Sequence, residues 1–230
     1  MRKLRVVVRR LGVGVVSFVT ACMVAGCVTA RLEESRQSTA TSSIQAGEAV
    51  VLLTRHQSNA RETERSFANC VVDDLGSGAD ALSTKSEQEF MDGLFPWFEP
   101  RVAPTTAEQL PKLLAQPGVA QRISDSGVRY VIWIDGETQT VDGGGTISCD
   151  LLGFGCVGFQ WWQRDSSYEA SIWDLKTGTA AGIISADVSG TSYMPAIVIP
   201  IPLIARTKAA ACHGLAKQLK DFLVLAPSVE

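Results

Sequence analysis

The sequence predicts an α/β (α+β) domain with a single mixed sheet, helices on one face and a disulfide-closed hairpin insertion. The segment 49–53 is wholly apolar, which is typical of a short strand buried on both faces. Apolar and polar residues alternate through 128–141, which is the period of a longer strand. Between them, the segment 59–75 carries apolar residues at helical spacing. Strands that alternate with helices favour this class over an all-α or all-β chain.

The remaining elements follow from periodicity and from capping residues. Ser86 and Glu89 form a capping box, so a helix begins there, and Gly127 ends another helix. In the strand 128–141, one face is expected to carry Val128, Tyr130, Ile132 and Ile134. The other predicted strands are 79–82, 168–175 and 181–191, and the other predicted helices are 106–115, Val119–Ser126 and 207–225.

The first 26 residues are predicted to be a lipoprotein signal peptide. A basic start precedes a short apolar run, 11–24, and small residues precede Cys27, which is the order of a secretory signal. The tetrad 24–27, Val-Ala-Gly-Cys, resembles the lipobox of bacterial lipoproteins. That resemblance implies that Cys27 becomes the N-terminus and receives several acyl chains, palmitate among them, which together form a stable membrane anchor. The alternative is ordinary cleavage after Ala21 or Ala30, with Cys27 lost or free.

After the signal, a flexible polar tether is predicted over 27–47, because serine and threonine crowd it. One domain follows over 48–226, with the hairpin insertion at about 142–166. By the same resemblance, Val28 in place of Asp implies sorting to the outer membrane, with the domain facing the periplasm. Removing the five basic residues of the signal leaves 16 Lys and Arg against 24 Asp and Glu, a net charge of −8. This acidity argues against nucleic acid as a partner.

The order of the predicted elements, together with the hairpin 172–178, resembles the anticodon-binding-domain-like fold of several envelope proteins. The families concerned are the curli-secretion lipoproteins, the N-terminal domain of the Tol translocation protein, and the lipoproteins that activate penicillin-binding proteins. The resemblance covers about 48–225 and rests on element order. It implies a protein that assembles or regulates envelope machinery and is not an enzyme.

Four cysteines remain in the domain, which allow three pairings. Cys149 and Cys156 flank a glycine-rich loop and are predicted to close the hairpin. Cys70 and Cys212 lie on the apolar stripes of the first and last predicted helices, so a second disulfide is favoured between them. The alternative is that Cys70 and Cys212 are small buried side chains. Export favours disulfides, because they persist in oxidising compartments.

No cofactor, metal or catalytic residue is predicted from the motifs. The segment 153–158 matches Gly-x-Gly-x-x-Gly, but a strand-like sequence follows it where a dinucleotide site opens a helix, so no nucleotide is expected. Cys212 and His213 are adjacent on a helix, which is not the spacing of a zinc site. His56 and His213 lack a Gly-x-Ser-x-Gly partner motif. The alternative to a non-enzyme is a periplasmic hydrolase that uses His56 with nearby carboxylates.

Two features predict a binding function. Phe159, Trp161 and Trp162 concentrate aromatic side chains beside the bridged loop, where they suit recognition of a protein partner unless they pack on the domain. The segment 194–204 is apolar but contains three prolines, which exclude a central strand, and it is expected to cover the core. The sequence therefore predicts a lipid-anchored cell-envelope protein that acts as a non-catalytic binding or assembly factor. A structural lipoprotein that self-associates through the aromatic hairpin is a further possibility.

Overall fold

A computed structural model describes residues 30–38, 43–54, 65–99, 101–150, 155–197 and 199–224. In these residues, six strands form one mixed sheet on which five α-helices pack, so the predicted α+β class is confirmed. The strands are β1 Ala30–Ser38, β2 Ala49–Thr54, β3 Thr84–Lys85, β4 Val128–Cys149, β5 Cys156–Asp174 and β6 Thr179–Ala196. The helices are α1 Arg65–Leu75, α2 Glu87–Gly93, α3 Leu110–Leu114, α4 Val119–Ser126 and α5 Thr207–Val224, and a 3₁₀ turn covers Ala107–Gln109.

The sheet combines parallel and antiparallel pairing in the order β1–β6–β5–β4–β2–β3. β2 pairs parallel with β3 and β4, whereas β4, β5 and β6 form an antiparallel meander. In β2, Val50 and Leu52 face one core cluster, and Val51 and Leu53 face the other. The prediction of a short strand buried on both faces is therefore confirmed.

Helices cover both faces of the sheet, so the prediction of helices on one face is wrong. On one face, α1 and α5 contribute side chains such as Phe67 and Leu215 to the core. On the opposite face, α2, α3 and α4 contribute side chains such as Phe90, Leu110 and Ile123. The physical reason is that β2 is apolar on both sides, so each side must be shielded from water.

β4 and β5 are continuous strands of 22 and 19 residues. Their pairing runs from Tyr130–Asp174 to Cys149–Cys156 with a single register shift between Thr140 and Asp142. β6 accompanies β5 as far as the pair Gly158–Ala196. The predicted disulfide-closed hairpin at about 142–166 is present, and its two strands are continuous with β4 and β5 of the sheet. Continuity was not visible in the sequence because neither face of this part is deeply buried, so the apolar alternation fades.

β1 occupies residues that were predicted to be a flexible tether. It pairs antiparallel with β6 from Ala30–Gly190 to Ser38–Gly182. A Cβ at Gly182 would lie 2.5 Å from the Gln37 carbonyl oxygen, so the glycine permits the close approach of this edge strand. For residues 30–38 the tether prediction is wrong, because main-chain pairing at a sheet edge needs no apolar composition.

Val128 lies on the opposite face of β4 from Tyr130 and Ile132, contrary to the prediction. The ladder with β2 shifts between the pairs Ala49–Val128 and Val50–Tyr130, so Arg129 is an extra residue. Val128 therefore packs with the cluster around α2–α4. A bulge of this kind redirects a side chain without altering the sequence alternation, which is why the pattern missed it.

Both predicted disulfides are present. Cys149–Cys156 closes the turn between β4 and β5, and Cys70–Cys212 joins α1 to α5 over a sequence separation of 142 residues. The same two helices are linked by a hydrogen bond of 2.6 Å from Lys208 Nζ to Ser66 Oγ. A bridge over so long a loop stabilises the fold by about 5 kcal/mol in the loop-entropy account.

We expect Gly136→Ala to destabilise the domain by about 3 kcal/mol or more. Gly136 has φ +145°, and a Cβ would lie 2.2 Å from the Ser167 carbonyl oxygen and 2.6 Å from Tyr168 Cα. Urea unfolding measures the effect. Gly93→Ala is the matched control, because nothing lies within 4 Å of its Cβ position, and it should change stability by less than about 1 kcal/mol. Equal midpoints for the two variants would contradict the close approach of β4 and β5.

Candidate functional site

The candidate site is the far end of the β4–β5–β6 ribbon, which we call the ribbon end. It comprises the described residues of 143–149, 156–163 and 191–204. The first range lies in β4, the second in β5, and the third covers the end of β6 and the segment after it. The predicted partner-binding residues all lie here on β5. Phe159 and Trp161 point to one face and Trp162 to the other, since side chains alternate along a strand. Trp161 and Trp162 are half-buried, and Phe159 is exposed.

The aromatic side chains pack against one another across the ribbon. Trp161 pairs with Gly144 on β4 and with Tyr193 on β6. A Cβ at Gly144 would lie 3.3 Å from Trp161 Nε1, so the glycine leaves space for the indole. The ring centroids of Phe159 and Tyr193 are 6.0 Å apart. Neither tryptophan of this group nor Phe159 belongs to the two core clusters of the described residues.

The segment after β6 folds back along the outer edge of that strand. Tyr193 N donates to the Leu203 carbonyl oxygen at 2.8 Å, and Leu203 N donates back to Tyr193 O at 2.7 Å. This backbone pairing turns four isoleucines outward, with exposed fractions of 74% for Ile197, 72% for Ile199, 54% for Ile201 and 52% for Ile204. The expectation that the segment covers the core is therefore wrong, because its main chain is held at a sheet edge rather than by packing of its side chains.

The ribbon end is almost free of charge. Asp150 is the one charged residue between Gly143 and Gln163, and no charged residue occurs from Val188 to Ala205. Most of the exposed large apolar side chains of the described residues lie here, Val157 among them. An uncharged, exposed apolar surface of this kind marks a contact site. The isoleucines were missed as site residues, although the long charge-free stretch around them is a signal that the sequence contains.

The groupings that resemble cofactor sites lack the required chemistry. The motif 153–158 ends in β5, so no helix N-terminus stands where a dinucleotide phosphate would bind. Ligand atoms of Cys70, Cys212 and His213 lie within 4.8 Å of one another. Both sulfur atoms are bonded in the disulfide, however, and a metal binds the thiolate. His213 Nδ1 is hydrogen-bonded to the Asp74 carboxylate at the surface.

Cys27 and His56, two predicted site residues, lie outside the described residues. A cavity of about 450 Å³ opens where β2 ends at Thr54, and Glu87, Asp92 and Glu99 are among its lining residues. The Glu87 carboxylate accepts a hydrogen bond of 3.1 Å from Thr54 N, so this carboxylate fixes the end of the strand to α2. The geometry therefore gives Glu87 a structural partner.

A buried ionic cluster lies at the opposite end of the sheet from the ribbon end, and no sequence motif predicts it. The Arg129 guanidinium donates to Glu48 Oε2 at 2.9 Å and to Asp174 Oδ2 at 3.2 Å. Asp174 Oδ1 accepts from Lys176 N at 2.9 Å, which shapes the β5–β6 turn. Arg129 also lies over the Tyr130 ring, 5.0 Å from its centroid. The cluster joins the start of β4, the approach to β2 and the β5–β6 turn.

The electrostatics of this cluster stabilise its charged form. Burial raises the pKa of Glu48, but hydrogen bonds from the Gln45 backbone N–H and from Arg129 outweigh burial, and the net pKa lies below the usual value for glutamate. Burial lowers the pKa of Arg129, while its bonds to Glu48 and Asp174 raise it, and the net shift is upward. Since both carboxylates are held by Arg129 and by backbone N–H groups, the cluster is structural.

No family model matches the chain, and no curated protein matches it. Among solved structures, it is similar to a PelC dodecamer from Paraburkholderia phytofirmans, with 10% identity, a TM-score of 0.41, and coverage of 85% of this chain and 99% of that one. A point-substituted PelC dodecamer from the same organism gives 11% identity, a TM-score of 0.40, and coverage of 85% and 98%. Similarity of this degree assigns neither a family nor a function. Within the part of the chain that the structure describes, no helix has the length and apolar character needed to cross a membrane.

We expect Glu48→Gln to lower the free energy of unfolding at pH 7 by about 1–2 kcal/mol. The folded-state pKa of Glu48 is depressed, so its contribution is complete above the unfolded value of about 4.5 and is lost as pH falls through the folded pKa. The gap between wild type and variant should therefore close in acid. Urea titrations at a series of pH values measure it. Glu89→Gln, at an exposed ion pair with Lys85, is the control and should cost less than about 1 kcal/mol. A gap that widened in acid would contradict the prediction.

Proposed function

We propose that the chain is a lipid-anchored cell-envelope protein that acts by binding, without catalysis, through its ribbon end. The observation that carries this proposal is the exposed, nearly uncharged apolar surface of 191–204 and β5. Such a surface is costly in water, so a protein keeps it for a contact. The lipobox at 24–27 supports attachment to a membrane, and the two disulfides are consistent with an exported chain.

The proposed class is that of envelope assembly or regulatory lipoproteins, at the outer membrane and facing the periplasm. The support for this class is the predicted order of elements, the lipobox and Val28 after the proposed acylated cysteine. The proposed occupant of the ribbon end is either an envelope protein or the envelope's lipid phase. Phe159 is the best-placed anchor among the three predicted aromatic residues, because it is the most exposed.

A hydrolase that uses His56 is the second candidate function. It is favoured by the cavity beside Thr54, two residues before His56 in the chain, with carboxylates in its lining. The bond from Thr54 N to Glu87 weighs against it, because a carboxylate engaged in this way is poorly placed to act as a base.

In an envelope-function assay, His56→Ala should leave the phenotype of the wild type intact. A phenotype as severe as that of a deletion would favour the hydrolase.

We expect Cys27→Ser to abolish lipid modification, because acylation begins at the cysteine sulfur. Intact-mass spectrometry of the protein purified from envelopes should show loss of the acyl mass, and detergent-phase partitioning should fall with it. Cys22, which lies earlier in the apolar run, supplies the control Cys22→Ser. That variant should keep the lipid. An unchanged mass for Cys27→Ser would reject the anchor.

We expect a photo-crosslinking residue at position 159 to form adducts in native envelopes, because Phe159 is exposed on the ribbon end. The matched control is the same residue at Val102, which is exposed on the helical part of the domain. Adducts are separated into protein and lipid classes by gel shift and by lipid extraction. Equal yields at 159 and 102 would remove the ribbon end as the contact surface.

A further inference from the structure

β1 begins at Ala30, and the position of this residue in the sheet relates the proposed anchor to the ribbon end. Ala30 pairs with Gly190, which pairs with Arg164, so these three residues mark one row across the sheet. Beyond that row, β5 continues for eight residues to Cys156, a length of about 26 Å. β1 is antiparallel to β6, so the direction from Ser38 back to Ala30 points toward the ribbon end.

The anchor cannot hold the domain far from the bilayer. Cys27 precedes Ala30 by three residues, and three residues span at most about 11 Å. β1 removes residues 30–38 from any tether, since they are paired along β6. With acyl chains on Cys27, the membrane surface therefore lies close to the Ala30 row. One end of the domain must then face that surface at short range.

The two ends of the sheet differ sharply in their fitness for a lipid surface. Away from the ribbon end, the helical part of the domain displays exposed charged side chains, including Glu89, Arg122 and Asp125. The ribbon end has no charged residue of its own, with Asp150 directly after Cys149, and it displays isoleucine, phenylalanine and valine. Trp161, Trp162 and Tyr193 add rings with a polar edge, the residue types that collect at the interface between lipid and water.

We propose that the ribbon end docks on the lipid bilayer that holds the Cys27 anchor, with Phe159 and the isoleucines of 197–204 among the acyl chains. This proposal rests on the proposed function and names the occupant of its site. The driving force is burial of apolar surface, because an acidic chain gains nothing from anionic headgroups. β5 is paired on both sides here, with β4 and with β6, so the main chain of the strand that carries Phe159 is satisfied, which lowers the cost of entering an apolar phase.

The first test uses the lipidated full-length mature protein in phosphatidylcholine vesicles that contain lipids brominated on the acyl chain. Bromine quenches tryptophan only at contact distance, so fluorescence should fall. Trp161→Phe/Trp162→Phe should remove most of that quenching, because the other three tryptophans lie in the body of the domain. Trp97→Phe is the control and should leave it unchanged. Absence of quenching in the wild type, or equal quenching in all three proteins, would overturn the proposal.

The second test separates this docking from the anchor. Cys27→Ser protein, which has no acyl chains, is titrated with phosphatidylcholine vesicles by flotation. Ile199→Asp should weaken its binding about tenfold or more, whereas Val102→Asp, at another exposed apolar position, should not. Binding that rises with phosphatidylglycerol content and disappears in high salt would indicate charge-driven adsorption and would overturn the proposal.

The outcomes distinguish this inference from the proposed function. Loss of acyl mass in Cys27→Ser together with protein-only adducts at position 159 would keep the anchored binding protein and reject the lipid contact. Adducts between two copies of the chain would equally reject it, in favour of self-association. Lipid adducts at position 159, with none at Val102, support it.

Discussion

The antiparallel pairing of β4 with β5 is the constraint on which the rest of the structure depends. At its inner half, Tyr130 and Ile132 of β4 lie in the core beneath α1 and α5. The same ladder then continues to the Cys149–Cys156 bridge, where no helix of the described chain covers it. Because β5 is paired on both sides, with β4 and with β6, its main chain remains satisfied where the ribbon leaves the core. β6, β1 and the segment after β6 are then added outward in turn.

Local signals were sufficient for the elements of the body. The all-apolar run in β2, the capping pair Ser86 and Glu89, and the stop at Gly127 each correspond to a feature of the structure. They succeed because each depends on residues within one or two turns of chain. The disulfide Cys70–Cys212 was accessible because both cysteines lie on apolar stripes of helices that must share the sheet.

The errors over β1 and over the segment 197–204 share a different cause, which is long-range main-chain pairing that overrides composition. β1 is polar and yet ordered, because β6 offers it an edge. The segment 197–204 is apolar and yet exposed, because its backbone pairs with Tyr193 before its side chains can pack. In both cases main-chain hydrogen bonding determines the position of a segment and overrides its composition. Of the candidate site, the aromatic part of the ribbon was therefore predictable, whereas the isoleucines and the position of the sheet edge were not.

The buried charges that stabilise the fold and the uncharged surface proposed for contact lie at opposite ends of the sheet. Arg129 is buried between Glu48 and Asp174. Removing one partner would leave a buried charge unpaired, so the cluster stabilises one arrangement of the ends of β2, β4 and β5. At the other end of the same strands, the near absence of charge leaves nothing to desolvate when a surface approaches. A flexible tether over 27–47 would have allowed either end of the sheet to face the proposed anchor. Because β1 takes up residues 30–38 of the predicted tether, Ala30 begins the sheet only three residues after the proposed anchor at Cys27, and the proposed docking of the uncharged end follows from that short distance.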